Sequence, residues 1–139
     1  MRTLALDYGE KRIGVAISDE SGKLAHPLET IHRPNARSRS HLDRIRELVQ
    51  EFAVVQIVVG LPLHMDGREG TAAGIVRAFG EQIQETTGMT VAFLDERWTT
   101  SQATRTLDEG GVRRKNQKGR LDPIAAALLL DTWLRRSEA

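Results

Sequence analysis

At 139 residues, with 40% hydrophobic and 28% charged side chains, the chain has the size and balance of one globular domain, 1–139, able to bury its own core. The absence of cysteine excludes disulfides and thiolate metal sites, so any metal must be held by oxygen or imidazole. The net charge of +1 gives no compositional case for nucleic acid, and the longest apolar run, Ile124 to Leu130, is far too short for a membrane span.

The first segments, "TLALDY" and "RIGVAIS", are apolar runs separated by "GEK", a hairpin signal. "AHPLETIH" reads as a third strand, with Pro27 pointing to an edge position. Leu42, Ile45, Leu48, Val49 and Phe52 then recur at helical spacing, with Ser40 and Asp43 placed as an N-terminal cap pair. "VQIVVGLP" is a continuous apolar strand of the kind buried on both faces. Ala72, Ile75, Val76, Phe79 and Ile83 form a second helical stripe, stopped at Gly88. After the strand "TVAFLDE", Thr99 with Gln102 opens a third helix that ends at Gly110-Gly111. "GVRRKNQKGR" reads as a mobile polar loop, and Asp122-Pro123 opens a last apolar helix through Leu134, with Leu128 among its core residues. The order β-β-β-α-β-α-β-α-α predicts an α/β fold. Three antiparallel strands are joined by parallel additions into a mixed five-stranded sheet with helices on both faces.

In such sheets ligands gather beyond the carboxyl ends of the parallel strands. Asp7 ends the first strand, Gly60-Leu61-Pro62 ends the fourth, Asp95-Glu96 ends the fifth, and Asp122 starts the last helix. Each has a bland reading: Asp7 as a turn residue with Gly9, Glu96 with Arg97 as a surface ion pair, Asp122 as a helix cap. The four histidines, His26, His32, His41 and His64, lack metal-site spacing and read as structural or surface residues. Taken together, the acids suit a hard divalent cation such as Mg²⁺ or Mn²⁺, two of which about 4 Å apart can clamp a phosphodiester. Two basic clusters, "HRPNARSRSHLDRIR" and "GVRRKNQKGR", lean toward an anionic partner.

The motifs "LALDYGEKRIGVAISD", "IVVGLPLHMDG", "FLDERWTTSQA" and "LDPIAAALLLDTWL" resemble the YqgF (RuvX) family over nearly the whole chain and in the same order. These are Holliday-junction-resolvase-like proteins with a ribonuclease H-like fold, also described as nucleases for precursor 16S ribosomal RNA. The resemblance implies a bacterial, cytoplasmic, metal-dependent nuclease acting on ribosomal precursor RNA, branched DNA or both, as a monomer or weak homodimer. It implies Asp7, Glu96 and Asp122 as catalytic metal ligands for Mg²⁺ or Mn²⁺, with Gly9, Gly60, Leu61 and Pro62 lining the site. The fourth strand of ribonuclease H-like enzymes usually ends in an acid. Here it ends in "GLP", so a fifth-strand carboxylate, Asp95 or Glu96, would substitute. Lys11, Arg12, Arg97, Arg113, Arg114, Lys115, Lys118 and Arg120 are the expected nucleic-acid contacts. Two other classes compete: a nucleic-acid-binding factor without activity, and a phosphate loop like that of the sugar-kinase and actin ATPases. The second lacks room in 139 residues for the lobe that closes over a nucleotide.

Overall fold

The computed structural model describes residues 1–35, 37–98 and 114–138, with backbone alone for residues 98, 114–122, 137 and 138. Five strands, β1 (Arg2–Tyr8), β2 (Arg12–Ser18), β3 (Ala25–His32), β4 (Val54–Leu61) and β5 (Val91–Asp95), form one sheet in the order β3-β2-β1-β4-β5. β1 pairs antiparallel with β2 and β2 with β3, while β4 lies parallel to both β1 and β5. This is the mixed sheet expected from the sequence. β3 is the edge strand that Pro27 requires, and the register shift opposite Val15 and Ala16 falls beside that proline.

Residues 4–6 of β1 and 57–59 of β4 read as unbroken apolar runs because both faces of these strands are covered. Leu4, Leu6, Ile57 and Val59 face α1 (Ser40–Glu51) and α2 (Thr71–Thr87). The alternate residues Ala5, Ala16 and Val58 face α3 (Arg114–Glu138), through Ala126, Leu129, Leu130 and Leu134. Alanine at two of those sheet positions lets the helix approach closely.

Three expectations about the helices are corrected. Ser40 is the first helical residue of α1 and not its cap; Arg39 occupies the cap position without a side-chain cap bond, and Asp43 pairs with Arg46 at 3.4 Å. In α2 the buried stripe is Ala73, Val76, Phe79, Gly80 and Ile83, so Ala72 and Ile75 face outward and Ile75 is 50% exposed. The left-handed Gly88 (φ 75°) ends α2 as the sequence predicts. The last helix does not start at Asp122-Pro123: it starts at Arg114 and carries Pro123 inside it. Part of the expected basic loop is therefore helix. Good helix formers flank Gly119, and the apolar stripe from Ala125 to Leu134 anchors the helix to the sheet, which outweighs one proline's missing N–H. Leu128 is only half-buried, whereas Leu129 and Leu130 carry the core. The helix expected from Thr99 to Gly110 lies outside the described residues.

Candidate functional site

Asp7 sits on the central strand, directly opposite Gly14 of β2. On its other side, one step past the Leu6–Val59 pair, is Gly60 of β4. A carboxylate with glycine on both neighbouring strands has open space beside it on that face. Asp7 shares this face with Ala5, the face covered by α3, because side chains alternate along a strand. It is 6% exposed.

The space over Gly60 is taken by Glu96. A Cβ placed on Gly60 would stand 2.5 Å from Glu96 Oε1 and 2.9 Å from its Cγ, so only glycine admits the Glu96 side chain here. The fourth strand thus supplies a gap, and the side chain of the residue after the fifth strand fills it. Gly60→Ala is expected to displace Glu96 and, if Glu96 acts in catalysis, to lower metal-dependent cleavage by roughly 10²-fold with the fold retained. A cleavage assay beside a thermal melt checks both halves.

Asp95 and Glu96 differ in their surroundings, beginning with where β5 stops. Asp95 is its last residue, and Glu96–Trp98 form a 3₁₀ turn, so strand alternation no longer applies. The Asp95 carboxylate is held by Arg97, which donates from Nε at 3.0–3.1 Å, from Nη2 at 2.7 Å and from its backbone N–H at 2.9 Å. Arg97 Nη1 also donates to the Met65 carbonyl at 3.0 Å, tying the segment between β4 and α2 to the sheet edge. Arg97 was expected to contact nucleic acid. Here its guanidinium is engaged by Asp95 and that carbonyl.

Glu96 is 8% exposed. Burial, and then the nearby Asp95 carboxylate, push its carboxyl up to about 7 from 4.5. The stabilisation from holding this group protonated is present below about 4.5 and is lost as pH rises through about 7. Metal-free protein should therefore lose at most roughly 3 kcal/mol of stability over that interval from this group. Glu96→Gln should remove that slope and be the more stable form above pH 7. Urea titrations of both proteins across the interval test this, and parallel pH profiles would overturn it.

Of the other expected site residues, Gly9, Gly60 and Pro62 line one cleft with Tyr8 and Glu96, while Leu61 is buried at the end of β4. Lys11 and Arg12 line a separate groove with His32, Arg33 and Pro34. Asp122 lies within α3, three and four residues before the inward-facing Ala125 and Ala126. Its side chain lies outside the described part of the structure. Arg114, Lys115, Lys118 and Arg120 have helical backbone in α3, and Arg113 lies outside the described residues. Among the described residues no three His, Cys, Asp or Glu side chains converge as a metal cluster.

The first basic cluster is partly neutralised, since Arg44 pairs with Glu29 at 2.6 Å and Glu47 at 3.0 Å. Arg33, which sequence reading did not single out from that cluster, donates to the Tyr8 hydroxyl at 2.7 Å and stands over the Tyr8 ring. His41 is buried against Phe79, and burial lowers its pKa.

Comparison with known proteins places this arrangement. The chain is 42% identical over 133 residues to a Lactococcus lactis subsp. cremoris protein named "Putative pre-16S rRNA nuclease", covering 96% of this chain and 93% of the relative. It is 45% identical over 141 residues to a Mycobacteroides abscessus protein of the same name, covering 97% of this chain and 81% of the other. Among solved structures, Thermus thermophilus RuvC in complex with a Holliday junction superposes with TM-score 0.59 at 14% identity, covering 100% of this chain and 96% of RuvC. Fowlpox virus resolvase with its junction DNA superposes with TM-score 0.59 at 11% identity, with both chains covered in full. At such identities the likeness is one of fold, the ribonuclease H-like fold. The family model described as "RuvX: Holliday junction resolvase" matches residues 1–136, and with relatives above 40% identity over nearly the same span, the chain belongs to the RuvX family.

Proposed function

We propose that the protein is a divalent-cation-dependent nuclease that hydrolyses phosphodiester bonds in ribosomal precursor RNA during 16S maturation. The observation that carries the reading is the Glu96 carboxyl folded over Gly60 on the strand next to Asp7. Two buried carboxyls at one sheet edge, one of them pushed toward its neutral form, match a hard cation that would restore the charge. With oxygen donors and no cysteine, the donor set fits Mg²⁺ or Mn²⁺. When bound, such a cation lowers the pKa of water and neutralises charge building on the phosphate.

The chain's own residues supply the rest. Asp7, held on the central strand by its pairing with Gly14 of β2, and Glu96, confined by Gly60, are the proposed ligands, with Asp122 from α3 as the third. Rigid strand tips hold such a constellation better than loops do. Lys11, in the turn after β1, and Arg12, the first residue of β2, are placed to bind neighbouring phosphates, which fixes the register of the bound strand without reading its bases. The relatives' shared name supports the ribosomal substrate. The family description favours a second reading, cleavage of four-way DNA junctions. A side-by-side assay on ribosomal precursor RNA, single strands and synthetic junctions, with Mg²⁺ and with Mn²⁺, separates the two. Binding without cleavage of any of them would leave a nucleic-acid-binding factor in place of a nuclease.

A further inference from the structure

Two grooves of opposite character flank the β1–β2 turn. One, of about 240 Å³, is lined by Tyr8, Gly60, Pro62, Ala72, Ile75 and Glu96, with Gly9 and Glu10 at the turn. The other, of about 520 Å³, is lined by Lys11, Arg12, His32, Arg33 and Pro34. Arg33 joins them, since it lines the cationic groove and donates to the hydroxyl of Tyr8, which lines the apolar one. Tyr8 is further held by Phe79, ring centroids 4.7 Å apart, so this wall is preformed.

The apolar cleft is unsuited to a phosphate. Among the described residues its charged lining residues are the acids Glu10 and Glu96, and neither offers a cation to a phosphate. It is also smaller than the roughly 300–1,000 Å³ typical of drug-sized ligands, which leaves room for one flat neutral group. Outward-facing Ala72 and half-exposed Ile75, on the first turns of α2, present carbon to water beside a polar site. We infer that this cleft receives one unpaired nucleobase of the bound strand, while the adjacent phosphates lie along the Lys11–Arg33 groove. The inference rests on the proposed nuclease reading, in which the scissile phosphate sits at Asp7 and Glu96. Glu96 borders the cleft, so the base attached next to that phosphate is the one within reach.

A base inside a duplex cannot enter, so the nucleotide at the cleavage point must be in a single strand, a bulge or a branch point. Seating a base on a mostly apolar surface also frees the protein from needing many aromatic side chains, of which the chain has six. The cationic groove then supplies affinity that is independent of sequence and sensitive to salt.

The test measures binding without metal, so that no strand is cut. A short oligouridylate strand and an abasic ribose-phosphate strand of equal length are titrated by fluorescence anisotropy against wild type, Ile75→Glu and Ala72→Glu. Both substituted positions face solvent, so neither variant depends on repacking the core. Wild type is expected to bind the base-bearing strand about tenfold more tightly than the abasic one, the scale of one base seated on a protein surface. Both variants are expected to bind the two strands alike. Equal or absent binding of the two strands by wild type, or a base-dependent margin kept in both variants, would overturn the inference. A protein that cleaves in Mn²⁺ but shows no margin keeps the nuclease reading and loses the base cleft. One that shows the margin but cleaves nothing does the reverse.

Discussion

Asp7→Asn is expected to abolish metal-dependent cleavage while leaving the fold intact. The amide matches the carboxylate in size and keeps hydrogen-bonding capacity, but it removes the charge that attracts a hard cation. Asp7 is 6% exposed on the central strand, opposite Gly14, so no other side chain of β2 can take its place at that pair. Removing one preorganised electrostatic partner from an active site typically costs roughly 10²–10³-fold in rate, and a lost metal ligand belongs at the upper end of that range. Calorimetric titration with Mn²⁺ should show weakened binding in the same variant. Cleavage at the wild-type rate, with metal still required, would remove Asp7 from the site.

Leu129→Ala is expected to have the largest effect on stability, a loss of roughly 2–5 kcal/mol. Leu129 is 1% exposed and belongs to the cluster of Ala5, Ala16, Val58 and Leu94 that joins α3 to the sheet. The small alanines opposite it cannot move in to fill the cavity, which argues for a cost well above the bottom of that range. Half-buried Leu128, one position away, should cost less when truncated. Urea titrations of Leu129→Ala, Leu128→Ala and Asp7→Asn should rank them in that order of damage. An Asp7→Asn protein as destabilised as Leu129→Ala would make Asp7 a structural residue.

The sequence by itself determined the elements of the sheet and their order. Strand type is a local property: "LAL" and "IVVG" carry no polar side chain because both faces are covered, and Pro27 demotes its strand to the edge by lacking a donor. The hairpin, the βαβ crossovers and Gly88 followed from spacing and turn chemistry alone. Motif order was enough to identify the family.

What only the tertiary structure decided depends on contacts between distant segments. That Asp95 is held by Arg97 while Glu96 is buried over Gly60 depends on where β5 stops and on contacts with β4. The role of Gly60 is invisible along the chain, because its partner lies 36 residues later and meets it only when β4 and β5 pair. In α2 the expected Val76, Phe79 and Ile83 are buried, but Ala73 and Gly80 complete the inner face in place of Ala72 and Ile75, which fit the apolar period from the sequence alone. Local signals placed a helix start at Asp122-Pro123, yet packing of Ala125 to Leu134 on the sheet carries the helix through the proline. Local sequence sets what a segment prefers to be; the side that faces inward, and the residue that fills a gap, are set by the free energy of burying whole elements against one another.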